Sequence, residues 1–235
     1  MRHIILDTET TGLKPEEGHR IIEVGCLELI DRKLTGEQFH QYLNPDREVE
    51  AGAIAVHGIK NDFLRDKPRF AEIAHELMAF IDGAELIIHN APFDVGFINH
   101  ELTLTGGSWQ PVTHYCSVLD TLKLARQLHA GQRNSLDALC KRYGVDNTKR
   151  EYHGALLDAF LLTQVYLAMT GGQGSFFDAL HDDAARAGSL ASERVTDVIE
   201  ANALCLLKAD EASLREHEKY LEDLKRNGQC LWLDH

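Results

Sequence analysis

The chain has 235 residues, 44% of them hydrophobic, enough for one core of ordinary size with an appendage, or for two small ones. Its net charge of -13 argues against a protein that grips nucleic acid through its own surface, because phosphate neutralisation by Lys and Arg supplies most non-specific affinity. No apolar run approaches the roughly 18 residues of a membrane span and the start MRHIILD has no signal-peptide shape, so a cytoplasmic location is expected; five scattered cysteines without a CxxC pair indicate neither a zinc ribbon nor a disulfide framework.

Residues 2 to 7 (RHIILD) form a short apolar run before a Thr and Gly turn, and 21 to 30 (IIEVGCLELI) and 38 to 43 (QFHQYL) have strand composition. Their short connections predict an antiparallel meander. The stretch 70 to 81 sets Phe70, Ile73, Leu77, Phe80 and Ile81 at helical spacing, and 85 to 88 (ELII) follows as a buried strand. A helix returning to a strand implies a parallel crossover, hence a mixed sheet. Further helices are predicted near 93 to 104, 118 to 129, 135 to 143 and 154 to 169, with Asn134 or Ser135 capping the third.

TGGQGS at 170 to 175 breaks the pattern and sets a domain boundary: 1 to 170 a folded domain, 171 to 190 a linker, 191 to 235 a tail. Residues 194 to 208 suit strand or helix, and 210 to 226 form a charged helix with Leu214, His217, Leu221 and Leu224 along one side. The tail is proportionally more acidic than the rest and has little core of its own. It is an unsuitable nucleic-acid arm and is expected to order against a partner.

Chemistry concentrates in three separated segments: Asp7 and Glu9 in DTETTG, Asp94 in HNAPFD, His153 and Asp158 in HGALLD. Hard divalent cations prefer such oxygen ligands and keep sites open for water and phosphate. Asp7 and Glu9 are two apart at a strand end, so they share a face. Alone, the pair reads more readily as two solvated acids, and Asp94 alone reads as a helix-start charge. His153 and Asp158 are five apart, roughly 140° of helical rotation, so they cannot share a face of one helix. His153 is expected in the loop before the helix and Asp158 one turn inside it. An imidazole on a loop can swing towards an attacking water while the carboxylate stays fixed. Asp120, Asp137 and Asp146 are assigned no metal, and Asp137 is simply the N-terminal charge of its helix.

Taken in this order, the three segments resemble the motifs of the DEDD exonucleases, in the subclass that carries a histidine. RIIEVGCLEL, FHQYLNPDR, VHGI, RNSLDALCKRYGVDN and VYLAMTGGQ extend the resemblance over most of the chain, to the proofreading subunits of bacterial replicative DNA polymerases. The resemblance implies an α/β fold: an RNase H-like mixed five-stranded sheet flanked by helices, with a C-terminal tail containing a helix.

It also implies two divalent ions, Mg²⁺ or Mn²⁺, one on Asp7, Glu9 and Asp158 and a second on Asp7 and Asp94, roughly 3.5 to 4 Å apart. His153 is then the base, and Thr10, His57, His89, Asn90 and Phe93 line the site of a DNA 3′ end. For His57 and His89 a purely structural hydrogen-bonding role stands beside that one. In the tail, Gln173, Phe176 and Phe177 resemble a sliding-clamp motif, although Phe176 stands where an aliphatic residue is common, and the pair could instead cover the folded domain. Trp232 is the expected anchor on the polymerase alpha subunit. The reading is a 3′-to-5′ proofreading DNA exonuclease. Two others remain: an RNA 3′ exonuclease of the oligoribonuclease or tRNA-trimming type, and a structural bridge between polymerase and clamp.

Overall fold

The computed structural model describes residues 1–148, 150, 152–171, 210, 214, 215, 217–219, 221, 222 and 226. The chain divides into two units, Met1–Phe176 and Phe177–His235. In the second, the described positions from Leu214 to Arg226 are helical, as the charged amphipathic pattern predicts. The linker motif, residues 194 to 208 and Trp232 lie outside the described residues.

The first unit is built on five strands: β1 (Arg2–Thr10), β2 (Ile21–Ile30), β3 (Lys33–Tyr42), β4 (Glu85–Ile88) and β5 (Ser117–Asp120). They lie in the order β3-β2-β1-β4-β5, with β1, β2 and β3 antiparallel and with β4 and β5 parallel to β1. The meander and the crossover expected from connection lengths are both present.

Around the sheet run α1 (Ala51–His57), α2 (Asn61–Leu64), α3 (Phe70–Ile81), α4 (Ala91–Leu104), α5 (Val112–Tyr115), α6 (Thr121–Leu128), α7 (Leu136–Tyr143) and α8 (Ala155–Thr170). None of the helices among the described residues is long and apolar enough to cross a membrane.

Two predictions need correction. The single helix over 118 to 129 is a strand, β5, followed by α6, because Asp120 ends the strand and caps the helix by accepting the Leu122 and Lys123 amides. The third strand begins at Lys33 rather than residue 38, since its exposed first half pairs with β2 through backbone bonds and carries no apolar signal. The short helices α1, α2 and α5 had no periodicity from which to predict them. Ser135, rather than Asn134, caps α7.

Strand alternation sorts the core into two layers. Ile4 and Leu6 pack with Phe70, Leu77, Phe97 and Ile98 of α3 and α4, whereas Ile5 packs with Leu27, Leu29, Ile87 and with Leu162 and Val165 of α8. Continuing along β1, the period of two sends Asp7 and Glu9 to the α8 side and Thr8 to the α4 side. Helix α8 lies close on β2. A Cβ at Gly25 would sit 2.4 Å from the Ala155 carbonyl carbon, so only glycine admits the helix backbone there.

Candidate active site

Asp7, Glu9, Asp94, His153 and Asp158 line one cleft of about 570 Å³ at the C-terminal end of β1 and β4. Each arrives differently. Asp7 and Glu9 come from the α8 face of β1. Asp94 lies in the first turn of α4 and is fastened to the opposite face by the Thr8 hydroxyl, which donates to Oδ1 at 2.7 Å. Asp158 is the fourth residue of α8 and is buried.

His153 stands two residues before α8, outside the helix as its spacing requires. Its amide donates to the Val56 carbonyl at 3.1 Å. Beside it the Tyr152 ring lies over Gly58, where a Cβ would come within 3.1 Å of that ring. The loop bearing the histidine is thereby docked on the end of α1. Among the described residues, Glu9, His153 and Asp158 offer ligand atoms within 4.8 Å of one another.

Electrostatics set this cleft apart. Burial, then the charges of Asp94, Glu9 and Asp158, hold the Asp7 carboxyl well above the usual carboxylate range. Burial, then Asp158 and Glu23, push Glu9 up to about 8. Asp94 is pushed up to about 7 by burial, against the Thr8 hydrogen bond. Asp158 goes the other way: burial would raise it, but hydrogen bonds from His153 and Arg150 and their charges outweigh that and hold it low. Three carboxyls that ionise at mutual expense form a site short of positive charge, and their hard oxygen donors suit divalent cations.

Arg126 also lines the cleft, and Arg150 supplies positive charge beside the carboxylates. Its guanidinium grips both oxygens of Asp158, reaches Asp137 and lies 2.9 Å from His153 Nδ1. Asp137, read from sequence as a helix-start charge, is thus also the outer partner of this arginine and of Asn147. Neither Arg150 nor Thr8 was found by sequence reasoning. An arginine beside an acidic motif has no distinctive spacing, and Thr8 is hidden inside DTE as a residue of the opposite face.

The residues expected at the substrate divide between two hollows. His89, Asn90 and Phe93 line the acidic cleft, while Thr10, His57 and again Phe93 line an adjoining cavity of about 420 Å³. The buried His57 ring accepts the Ile59 amide at Nδ1, so Nε2 carries the proton, and among the described residues that atom has no hydrogen-bond partner. Burial lowers its pKa, which favours the neutral ring. His89 Nδ1 meets the Thr121 hydroxyl at 3.0 Å, and that hydroxyl lies 3.2 Å from the Ile88 carbonyl. Asn90 takes a left-handed backbone conformation, φ 69°, immediately before α4.

Three comparisons bear on this geometry. The family model described as Exonuclease (RNase_T) matches residues 4–166. The DNA polymerase III subunit epsilon of Salmonella typhimurium is 49% identical over 98% of this chain and 97% of its own length, and that of Rickettsia felis is 44% identical over 97% and 99%. Among solved structures, Exonuclease X in complex with 5′ overhanging duplex DNA aligns with a TM-score of 0.57 at 26% identity, covering 77% of this chain and 98% of that one. E. coli Exonuclease I in complex with a dA16 oligonucleotide, at 19% identity and a TM-score of 0.64, covers 77% of this chain and 43% of that one and supports the fold alone.

Proposed function

Since the chain belongs to the exonuclease family, and within it to the epsilon subunits of DNA polymerase III, we infer that it is the 3′-to-5′ proofreading exonuclease of that polymerase, acting on DNA. The observation that carries the chemistry is the convergence of four carboxylates and one histidine on a cleft where burial and repulsion raise three of the carboxyls.

Those donors fit divalent cations, and the assignment is two ions, Mg²⁺ or Mn²⁺: Asp7, Glu9 and Asp158 hold one, Asp7 and Asp94 the other. When bound, such ions activate water and stabilise the leaving 3′ oxygen. The remaining steps belong to the side chains. Asp7 is shared, and the Thr8 hydroxyl keeps Asp94 turned into the cleft. His153 takes the proton of the attacking water. Its Nδ1 lies 3.3 Å from Asp158 Oδ2, and with a proton there donated to Asp158, Nε2 presents its lone pair. With Nδ1 accepting from Arg150 instead, Nε2 carries the proton and the ring cannot act as base there. The reaction therefore runs in the first arrangement and releases a 5′-mononucleotide.

Thr10, His57 and Phe93 are assigned to the terminal nucleotide, with the unpartnered Nε2–H of His57 as a donor to it. The Thr121 contact favours a structural role for His89. Asn90 is assigned to the cleft floor. Preference for mismatches need not come from base contacts, because an unpaired terminus takes less energy to separate and enter a single-strand site.

The acidic charge of the chain is tolerable if a partner delivers the primer. The tail of residues 191 to 235, with Trp232, is assigned to the polymerase alpha subunit, and Gln173, Phe176 and Phe177 to the sliding clamp. Relatedness that runs through the tail supports the polymerase subunit over an RNA-trimming enzyme. The complete acidic set supports a working enzyme over a silent bridge. Digesting matched DNA and RNA oligonucleotides in Mg²⁺, then in chelator, tests this. Metal-dependent release of deoxynucleotides from the 3′ end is expected, and a preference for RNA would return the reading to its rival.

A further inference from the structure

Glu23 is a buried carboxylate, 2% exposed, that has no part in the assigned chemistry. The register of β1 and β2 sets it directly opposite Glu9 and sets Gly25 opposite Asp7. Cross-strand partners share a face of the sheet. The EVG of β2 therefore runs alongside the DTE of β1, beneath the start of α8.

The two residues do complementary things there. Gly25 leaves room for the helix backbone. Glu23 supplies an acceptor, its Oε2 taking the Ala155 amide at 3.1 Å. First-turn amides have no partner within their own helix, and the N-cap residue Gly154 has no side chain to offer one. The other oxygen, Oε1, lies 2.7 Å from His40 Nε2 on the edge strand β3. Tyr42 stands close as well, its phenol pushed up to about 12 by burial and then by the Glu23 charge.

We propose that Glu23 is a positioning residue for hydrolysis, a cap contributed from the sheet that seats the first turn of α8 and so sets the distance of Asp158 and His153 from Glu9 and Asp7. The arm is short. Ala155 lies two residues after His153 and three before Asp158. A helix start held by its own N-cap residue would be free to shift along the sheet, whereas this one is tied to the strand that neighbours the other carboxylates.

The proposal rests on the exonuclease reading of the site, and the test separates the two. The full-length chain and its Glu23→Ala and Glu23→Gln variants are compared for kcat and KM on a single-stranded oligonucleotide in saturating Mg²⁺, and for amide exchange at Ala155. Glu23→Ala should lower kcat roughly 10²-fold, the scale of a misplacement of about 1 Å, with KM little changed and faster exchange at Ala155. Glu23→Gln keeps an oxygen for the amide and should stay within about threefold of the parent chain. An undiminished kcat in Glu23→Ala overturns the proposal, as does a loss in Glu23→Gln as large as in Glu23→Ala, because the charge and not the acceptor would then matter. If Glu23→Ala does not fold, His40→Ala decides: slower turnover with faster Ala155 exchange upholds the proposal, and no change in either refutes it. A parent chain that releases no nucleotide would defeat the exonuclease reading instead.

Discussion

Arg150 lays its guanidinium across the carboxylate of Asp158, with Nε 2.6 Å from Oδ1 and a terminal nitrogen on Oδ2. Both side chains are nearly inaccessible, 6% and 4% exposed, so the pair is a buried one and removing one partner strands the other. Arg150→Gln should therefore destabilise the metal-free protein by about 3 kcal/mol. Excess Mg²⁺ should recover much of the loss, because a cation on Asp158 replaces the missing charge. Thermal unfolding in chelator and in Mg²⁺ measures both, and an unchanged melting temperature in chelator would show that the pair contributes nothing.

The raised carboxyls give the metal-free protein an unusual pH response. An acid with a higher pKa folded than unfolded holds its proton more tightly when folded, so stability is greatest below the ordinary carboxylate range and is lost as pH rises through the folded value. With Glu9 at about 8 and Asp94 at about 7, melting temperature in chelator should climb as pH falls from about 8 towards about 5. Asp158, held low, acts in the opposite sense. Its contribution is present above the ordinary range and disappears only at more acidic pH. Mg²⁺ should flatten the slope between pH 8 and 5, since it competes with those protons, and calorimetry should find its affinity falling over the same interval. A melting temperature that rises with pH in chelator would contradict the directions assigned to Glu9 and Asp94.

Gly25 is the position where packing bears most directly on the site. A methyl group there would meet the Ala155 and Leu156 backbone at 2.4 Å, and backbone cannot turn aside as a side chain can. Gly25→Ala should cost about 1 to 3 kcal/mol of stability by overpacking. It should also slow hydrolysis by at least about tenfold, since α8 must lift with Asp158 on it. Denaturant unfolding and steady-state rates on one preparation test the coupling. A destabilised variant with full activity would show that the site does not depend on the seat of α8.

What was legible in the sequence follows from how local each feature is. Strand β1, helix α3 and the acidic motifs are written in contiguous residues, and the five-residue separation of His153 and Asp158 was enough to expect one off the helix and one on it. Strand β5 was not legible, because SVLD owes its state to parallel pairing with β4 and is followed at once by helix. Glu23 and Arg150 escaped for the same reason at greater range. The Glu23 contact with Ala155 spans 132 residues, and nothing in IIEVG signals its destination.

Removing residues 171 to 235 should leave hydrolysis of short single strands within about twofold, because every residue assigned to the cleft lies before them. The same truncation should abolish binding to the polymerase alpha subunit. Co-elution of the purified proteins in size-exclusion chromatography checks this, and a truncated chain that still co-elutes would move the contact to the folded domain.

Hydrolysis of the 3′-terminal phosphodiester by the acidic cleft is tested most directly by a single quenched time course of the parent chain and Asp158→Asn on a primer with a mismatched 3′ end. The parent chain should release 5′-mononucleotides only in divalent metal and faster than from a paired end. Asp158→Asn leaves Arg150 without its buried charge partner and should be less stable, but circular dichroism should show it folded at the assay temperature, and it should lose at least about 10³-fold in rate, the scale of a lost electrostatic element at a reaction centre. Nucleotide release by Asp158→Asn at the parental rate, or by the parent chain in chelator, would contradict the account.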